Sequence, residues 1–335
     1  MPPKLVHGPL VRSSQVRGPA VRNSLVGESL VDPLANRNRS EALAKLAITV
    51  QERFGLRSGG DLHDKLERAF EASGATNVEA WASELRLRRP GDPAWLEVVE
   101  RLTVHETYFF RDEAQLEFLE REVIVPLLRE RRDQGRLSLR LWSAGCSTGE
   151  EAYSLAMLVL DALRYIGHAW SRPDGSIDAD PRWRLEILGT DVSREALRKA
   201  RSACYAASGH GSIRQPIGSR WDALFEPAPS PFGAEDEGVL WHRPRECVRR
   251  LVSFRQHNLL DADPPLEGVD VVACRNVFIY FEAAQQRQAQ AMLARALGRG
   301  GSLFLGTTDR LGCDELFDTR YQDEFVLYSR REVSP

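Results

Sequence analysis

The chain has 335 residues, enough for two domains or one large domain with additions. Its 42% hydrophobic and 28% charged residues exclude disorder throughout and a fibrous repeat. Forty-five basic residues against 48 acidic ones leave a net charge of −3, so no overall basic field attracts nucleic acid or anionic lipid.

Residues 1–38 read as a flexible tail, in which Gly8-Pro9-Leu10-Val11-Arg12-Ser13-Ser14 recurs as Gly18-Pro19-Ala20-Val21-Arg22-Asn23-Ser24. Two copies are too few for a solenoid. Residues 39–103 predict a small all-helical domain. Leu43, Leu46, Ala47 and Val50 fall at helical spacing behind Ser40 as N-cap, and Leu62, Leu66, Ala69 and Phe70 open a second helix that Gly74 ends. A third covers 77–87, and Pro90-Gly91-Asp92-Pro93 turns into a fourth from Trp95.

The pattern then changes. Strands are expected at 137–142, 185–188, 269–273 and 302–305, alternating with helices at 150–163, from Ser193, and at 282–297, the last capped by Gly298-Arg299-Gly300-Gly301. That alternation predicts an α/β fold with a doubly wound, mostly parallel sheet over 104–335, closed by an antiparallel edge strand at 325–328. Residues 167–183 read as a loop. Residues 204–256, with short β-like runs at 239–241 and 251–254, read as an inserted β-rich subdomain. The cysteines at 146, 204, 247, 274 and 313 form no C-x-x-C pair and no metal-ligand spacing, which fits a reducing compartment and predicts no metal. No apolar run approaches the roughly 20 residues that span a bilayer, and the N-terminus lacks the apolar centre of a signal peptide. A cytoplasmic location without direct membrane insertion is expected.

The most informative stretch is Leu139-Arg140-Leu141-Trp142-Ser143-Ala144-Gly145-Cys146-Ser147-Thr148-Gly149-Glu150-Glu151. A strand entering a glycine turn and then a helix lets backbone pass close to a ligand. Two acids at the helix start disfavour a pyrophosphate and suit an ammonium or sulfonium group. Asp191 ends the next strand, where an acid accepts ribose hydroxyls or caps the Ser193 helix. A ribose site with no phosphate cradle points to S-adenosylmethionine.

Three segments then resemble the chemotaxis receptor methyltransferases, the CheR family: Thr107-Tyr108-Phe109-Phe110-Arg111, the glycine turn from Trp142 to Ser154, and Cys274-Arg275-Asn276-Val277-Phe278-Ile279-Tyr280-Phe281. The resemblance runs from about Ser40 to the C-terminus. It implies a helical N-terminal domain, a class I methyltransferase domain with a β-subdomain, and methyl transfer from S-adenosylmethionine to glutamates in the cytoplasmic domain of chemotaxis-type receptors, leaving S-adenosylhomocysteine. It also implies site roles. Arg111 would be the active-site arginine and Tyr280 would stand near the transferred methyl. His105, Thr107, Arg111, Gly145, Glu151, Asp191, Asn258, Leu259, Arg275 and Asn276 would hold the cofactor. Cys146 and Cys274 are expected to pack without reacting.

The sequence departs from the family at three places. His105 replaces a frequent asparagine, Gly306-Thr307-Thr308-Asp309 replaces Gly-His-Ser-Glu and should alter the polar rim, and the second helix keeps only Lys65 and Arg68 of an arginine-richer face. That poorer face suggests an unusual protein substrate or weak affinity for ordinary receptors. Two rival readings remain: a methyltransferase for another substrate, such as RNA or a small molecule, and a non-catalytic regulatory module that binds cofactor or receptor. Arg275-Asn276-Val277-Phe278 stands where nucleic-acid amino methylation commonly uses Asn/Asp-Pro-Pro-Tyr/Phe, which disfavours a nucleic-acid substrate.

Overall fold

A computed structural model describes residues 33–331 apart from 58–59, 104–105, 175, 208–210, 215–221 and 232–238. The proposed tail up to residue 32 and His105 lie outside the described residues.

The chain opens with α1 (Pro33–Phe54), α2 (Gly60–Ser73), α3 (Val78–Leu87) and α4 (Pro93–Leu102). Leu43, Leu46, Val50, Leu66, Ala82 and Val99 close one apolar core among them. Trp95 is fully buried there, its Nε1 donating to the Leu85 carbonyl at 2.7 Å and its ring centroid 5.3 Å from that of Phe54. Asn77 and Asp92 cap α3 and α4 through their side chains. Two expectations are corrected. Residues 33–38, assigned to the tail, are helical, and Ser40 sits inside α1 instead of capping it. Pro33 supplies the reason, since its fixed φ suits a first helical turn.

A helical stretch with weak sequence signal follows: α5 (Glu113–Leu119) runs through a π-helical turn, Glu120–Ile124, into α6 (Val125–Asp133). Then come β1 (Ser138–Ala144), α7 (Glu150–Tyr165), β2 (Ala169–Ser171), β3 (Ile177–Ala179), β4 (Arg184–Asp191) and α8 (Arg194–Ser202). The inserted region holds β5 (Tyr205–Ala207), β6 (Phe225–Pro227), β7 (Leu240–Pro244) and α9 (Glu246–Arg249). The chain ends with β8 (Val252–Gln256), β9 (Val269–Cys274), α10 (Ala283–Ala296), β10 (Leu297–Leu305), β11 (Phe317–Gln322) and β12 (Phe325–Arg330).

Among the described residues the main sheet has the order β11-β12-β10-β9-β1-β4-β8. Neighbours run parallel from β10 to β8, and β12 is antiparallel to β10 and β11. The chain steps outward from β1 through β4 to β8, then returns to β9 on the other side of β1. That reversal opens a crevice at the strand C-termini, where open α/β sheets bind ligands.

Four further expectations need correction. The 251–254 run is not part of the insertion: as β8 it pairs with β4 in the main sheet. An edge strand is half exposed, so its alternation resembles that of a strand in a small sheet. The insertion's own sheet is β5-β7-β6. Residues 167–183 contain the hairpin β2–β3, short strands without enough apolar residues to announce themselves. The outermost strand is β11, with β12 inside it; only Phe317 of β11 is buried, so its polar face hid it. Finally, 298–301 lie within β10, whose register shifts against β9 between Leu297 and Ser302, rather than in a simple helix cap.

Trp95→Ala removes a buried indole and its hydrogen bond, and should cost about 3–5 kcal/mol of stability. Urea unfolding would show it as a lower midpoint; an unchanged midpoint would contradict this packing.

Candidate active site

Every sequence-named site residue that is described lines one cavity over the C-terminal ends of β1, β4 and β9: Thr107, Arg111, Gly145, Glu151, Asp191, Asn258, Leu259, Arg275, Asn276 and Tyr280. Sequence reasoning missed the wall opposite, formed by Phe54, Leu56, Val99, Leu102 and Thr103 of the helical unit. Helical periodicity marks such residues as apolar but does not say which second unit they face.

The β1–α7 turn is built from backbone constraints. Gly145 has φ +80°, and its amide and that of Cys146 donate to the Thr190 carbonyl at 2.8 Å. A Cβ at Gly145 would stand 2.6 Å from Val277 Cγ2, and one at Gly149 2.8 Å from Ala200 Cβ. The two glycines therefore admit close packing of the chain on itself, in addition to the ligand approach that the sequence suggested. Asp191 locks the turn from β4. One carboxylate oxygen accepts the Ser147 amide at 2.8 Å and the other the Ser193 amide at 2.9 Å, while Ser193 itself caps α8. Asp191 also lines the cavity, where a carboxylate is an acceptor.

Arg275 is the hub behind the cavity, its side chain only 2% exposed. Nε donates to Gln115 Oε1 at 2.9 Å, Nη1 meets Glu151 Oε2 at 3.3 Å, and Nη2 reaches Asp112 Oδ2 at 3.3 Å and the Arg111 carbonyl. Glu151 also accepts from Ser143 Oγ at 2.7 Å. Burial raises the Glu151 carboxyl above the usual carboxylate range, with Arg275 opposing that rise. The neighbouring Glu150, likewise raised by burial, accepts from Ser212 Oγ at 2.6 Å and Thr148 Oγ1 at 2.7 Å.

The Thr107–Arg111 segment is pinned by its aromatics. Phe109 packs edge-on against Tyr205 and Phe225 of the insertion, each at 4.9 Å, and the Phe110 amide donates to Ser154 Oγ at 3.1 Å. Arg111 stays half-exposed at the mouth, with Nη1 donating to the Glu106 carbonyl at 3.0 Å. Tyr280 is also partly exposed; its carbonyl accepts the Arg57 amide at 2.7 Å. Asn258 is engaged within the protein: Nδ2 donates to the Arg53 carbonyl at 2.7 Å and Oδ1 accepts the Leu260 amide at 3.1 Å.

The variant Gly306–Asp309 segment acts from behind rather than at the rim. Thr307 and Thr308 are exposed away from the cavity lining, and buried Asp309 accepts the Asn276 amide at 2.6 Å and the Gly306 amide at 3.1 Å. On α2, Lys65 is committed to Asp61 at 2.8 Å and the Leu102 carbonyl at 3.3 Å, while Arg68 is exposed. Burial pushes the Cys146 and Cys274 thiols well up, so neither offers a thiolate. Among the described residues no group of three or more His, Cys, Asp or Glu could hold a metal ion.

Residues 105–326 match the family model described as the CheR methyltransferase, SAM binding domain. The chain is 31% identical over 247 residues to chemotaxis protein methyltransferase 1 of Pseudomonas aeruginosa, covering 74% of this chain and 80% of that one. It is 31% identical over 229 residues to a probable chemotaxis protein methyltransferase of Rhizobium etli, covering 68% and 76%. An uncharacterised 104.1 kDa protein of Rhodobacter capsulatus is 30% identical over 273 residues, of which the chain spans only 24%. Likeness to solved structures is weaker: a TehB-like SAM-dependent methyltransferase of Corynebacterium glutamicum is 10% identical with a TM-score of 0.32, covering 65% of this chain and 97% of that one. The fold itself, a class I methyltransferase sheet, rests on strand order and the family match.

Arg275→Ala would strand Glu151 and Asp112 beside an empty volume. The loss should be about 3–5 kcal/mol in chemical unfolding, as for one partner removed from a buried pair. A loss below about 1 kcal/mol would mean the hub is solvated and weak.

Proposed function

Because the chain belongs to the CheR methyltransferase family, we propose that it methylates glutamate side-chain carboxylates of chemotaxis-type receptors from S-adenosylmethionine, giving S-adenosylhomocysteine and glutamate methyl esters. The observation that carries this reading is the convergence of Glu151, Asp191, Arg111 and Tyr280 on one cavity at the sheet's switch point. No described helix is long and apolar enough to cross a membrane. A cytoplasmic protein acting on a protein rather than a nucleic-acid substrate fits this and the net charge of −3.

The residues fit the cofactor's chemistry. Glu151, aimed into the cavity on a buried arginine, suits an ammonium group. Asp191, lining the cavity at the end of β4, is the type of acceptor that suits ribose hydroxyls. Leu259, with Phe54 and Leu56 across the cavity, offers apolar surface for a purine. Asn258, already bonded to Arg53, would serve by holding the Leu259 loop against the helical unit. When bound, the cofactor supplies an electrophilic methyl on a sulfonium sulfur.

A glutamate nucleophile is ionised at neutral pH, since a free glutamate side chain loses its proton near pH 4.3, roughly, so the site needs no general base. The protein has to aim it and keep water off it. Arg111 presents a planar fork that matches a carboxylate, which an ammonium would not. Since the substrate charge vanishes as the ester forms, a tight clamp would favour the ground state; Arg111 contributes mainly orientation. Tyr280, fixed by the Arg57–Tyr280 backbone bond, helps to cover the reacting carboxylate.

With labelled S-adenosylmethionine and a chemoreceptor cytoplasmic fragment, the label should leave as methanol in mild base, whereas label retained as methylated nitrogen would refute ester formation. Arg111→Ala should remove most turnover while keeping S-adenosylhomocysteine affinity within a few-fold; loss of binding alone would make Arg111 a cofactor residue. A further outcome concerns pH. Because burial raises the Glu151 carboxyl, it takes up its proton at a pH where exposed glutamates are still ionised. The ammonium needs the ionised form, so calorimetric affinity for S-adenosylhomocysteine should fall as pH drops through that raised value. Glu151→Gln should bind weakly with a flat profile over the same range; an unchanged slope in that variant would assign the titration elsewhere.

A further inference from the structure

The described residues 211–214 of the insertion are built into the wall beside the Tyr108 turn. The Ile213 amide donates to the Ala206 carbonyl at 3.2 Å, and Ile213 bridges Ala207. Ser212 Oγ donates to buried Glu150 at 2.6 Å, and the Ser212 carbonyl accepts the Phe109 amide at 2.8 Å. Arg214 therefore leaves a fixed backbone. Its guanidinium lies 4.1 Å over the Tyr108 ring centroid, donates through Nε to the Gly211 carbonyl at 3.1 Å, and stands 3.6 Å from Glu106 Oε1. Arg111 approaches the same ring at 5.9 Å. Glu106, Tyr108 and Arg111 line the cavity, so Arg214 stands at its rim, where it shares the Tyr108 ring with Arg111 and lies beside the Glu106 carboxylate.

We propose that Arg214, stacked on Tyr108, is a substrate-recognition residue that takes a second carboxylate of an acidic peptide segment while Arg111 orients the glutamate being methylated. This rests on the reading of the cavity as a protein-glutamate methylation site. Glu106 is 66% exposed, so its pairing with Arg214 is weak and readily exchanged for a substrate carboxylate. The ring beneath Arg214 and the Gly211 carbonyl on its Nε orient the fork, and the Nη2 edge that now meets exposed Glu106 is the one a substrate carboxylate would take. A partner lacking the neighbouring acid gains nothing from it, so the contact contributes selectivity for glutamates set in acidic surroundings.

The test uses the full chain, a chemoreceptor cytoplasmic fragment and S-adenosylhomocysteine calorimetry. Arg214→Ala should raise KM for the fragment about tenfold, the worth of one charge-assisted hydrogen bond, with kcat and S-adenosylhomocysteine affinity nearly unchanged. Arg214→Lys should recover only part of that loss, and Arg214→Glu should exceed it. Added salt should raise the wild-type KM more than that of Arg214→Ala. Unchanged KM in both the Ala and Glu variants overturns the proposal. So does a joint fall in kcat, cofactor affinity and Tm, which would make Arg214 an anchor of the insertion. A wild-type protein that binds S-adenosylhomocysteine yet forms no base-labile ester in the fragment removes the methylation reading, and this proposal with it.

Discussion

A buried guanidinium has to be paired on every side, and the site is assembled around that requirement. Arg275 directly follows β9, and its bonds draw in Glu151 from α7, Gln115 from α5, Asp112, and the backbone of Arg111. Three segments far apart in sequence, 111–115, the start of α7 and Arg275 itself, are thereby fixed relative to one another at the C-terminal edge of the sheet. Removing water from these charges is expensive, and only the complete set of partners offsets it. The same interaction aims the Glu151 carboxylate and sets the carbonyl of the residue proposed to orient the substrate. One charge links the cofactor end of the cavity to its mouth.

The helical unit is part of this enclosure. Leu56 forms a bridge with Phe281, the Arg57 amide bonds the Tyr280 carbonyl, and the Arg53 carbonyl takes Asn258 Nδ2. Gly55, at φ +77°, leaves room for the Phe281 ring, which would lie 2.9 Å from a Cβ there. From α4, Glu100 accepts the Glu195 amide at 3.0 Å and the Ser193 hydroxyl at the start of α8. The first three bonds end on residues at, or next to, those that line the cavity, and the α4 contacts hold the start of α8 just beyond Asp191 and Val192. Docking of the two units and the shape of the cavity are therefore one structural fact, and water exclusion depends on both.

Much of this is legible in the sequence, for local reasons. The β1 turn, Asp191 at the end of β4, and Arg275-Asn276 at the end of β9 follow from strand, glycine turn and acid in chain order. What escapes is set by partners distant in sequence. Nothing around Phe54 or Leu56 announces that they line one cavity with Leu259, and nothing in Val252–Gln256 says that it pairs with Asp191's strand rather than with the insertion. Polar β11 is hidden because its stability comes from β12, not from its own pattern. Asp309 reads in sequence as a change to the rim, yet it turns inward to hold the Asn276 amide, which spacing alone does not reveal.

The central claim is that the acid-lined cavity above Arg275 accepts an adenosyl amino acid, and titrating S-adenosylhomocysteine into the pure 335-residue chain by calorimetry tests it most directly. The account predicts saturable one-to-one binding that weakens strongly when Asp191 is replaced by Ala. Absence of saturable heat from the wild-type protein, or equal affinity in the two proteins, would contradict it.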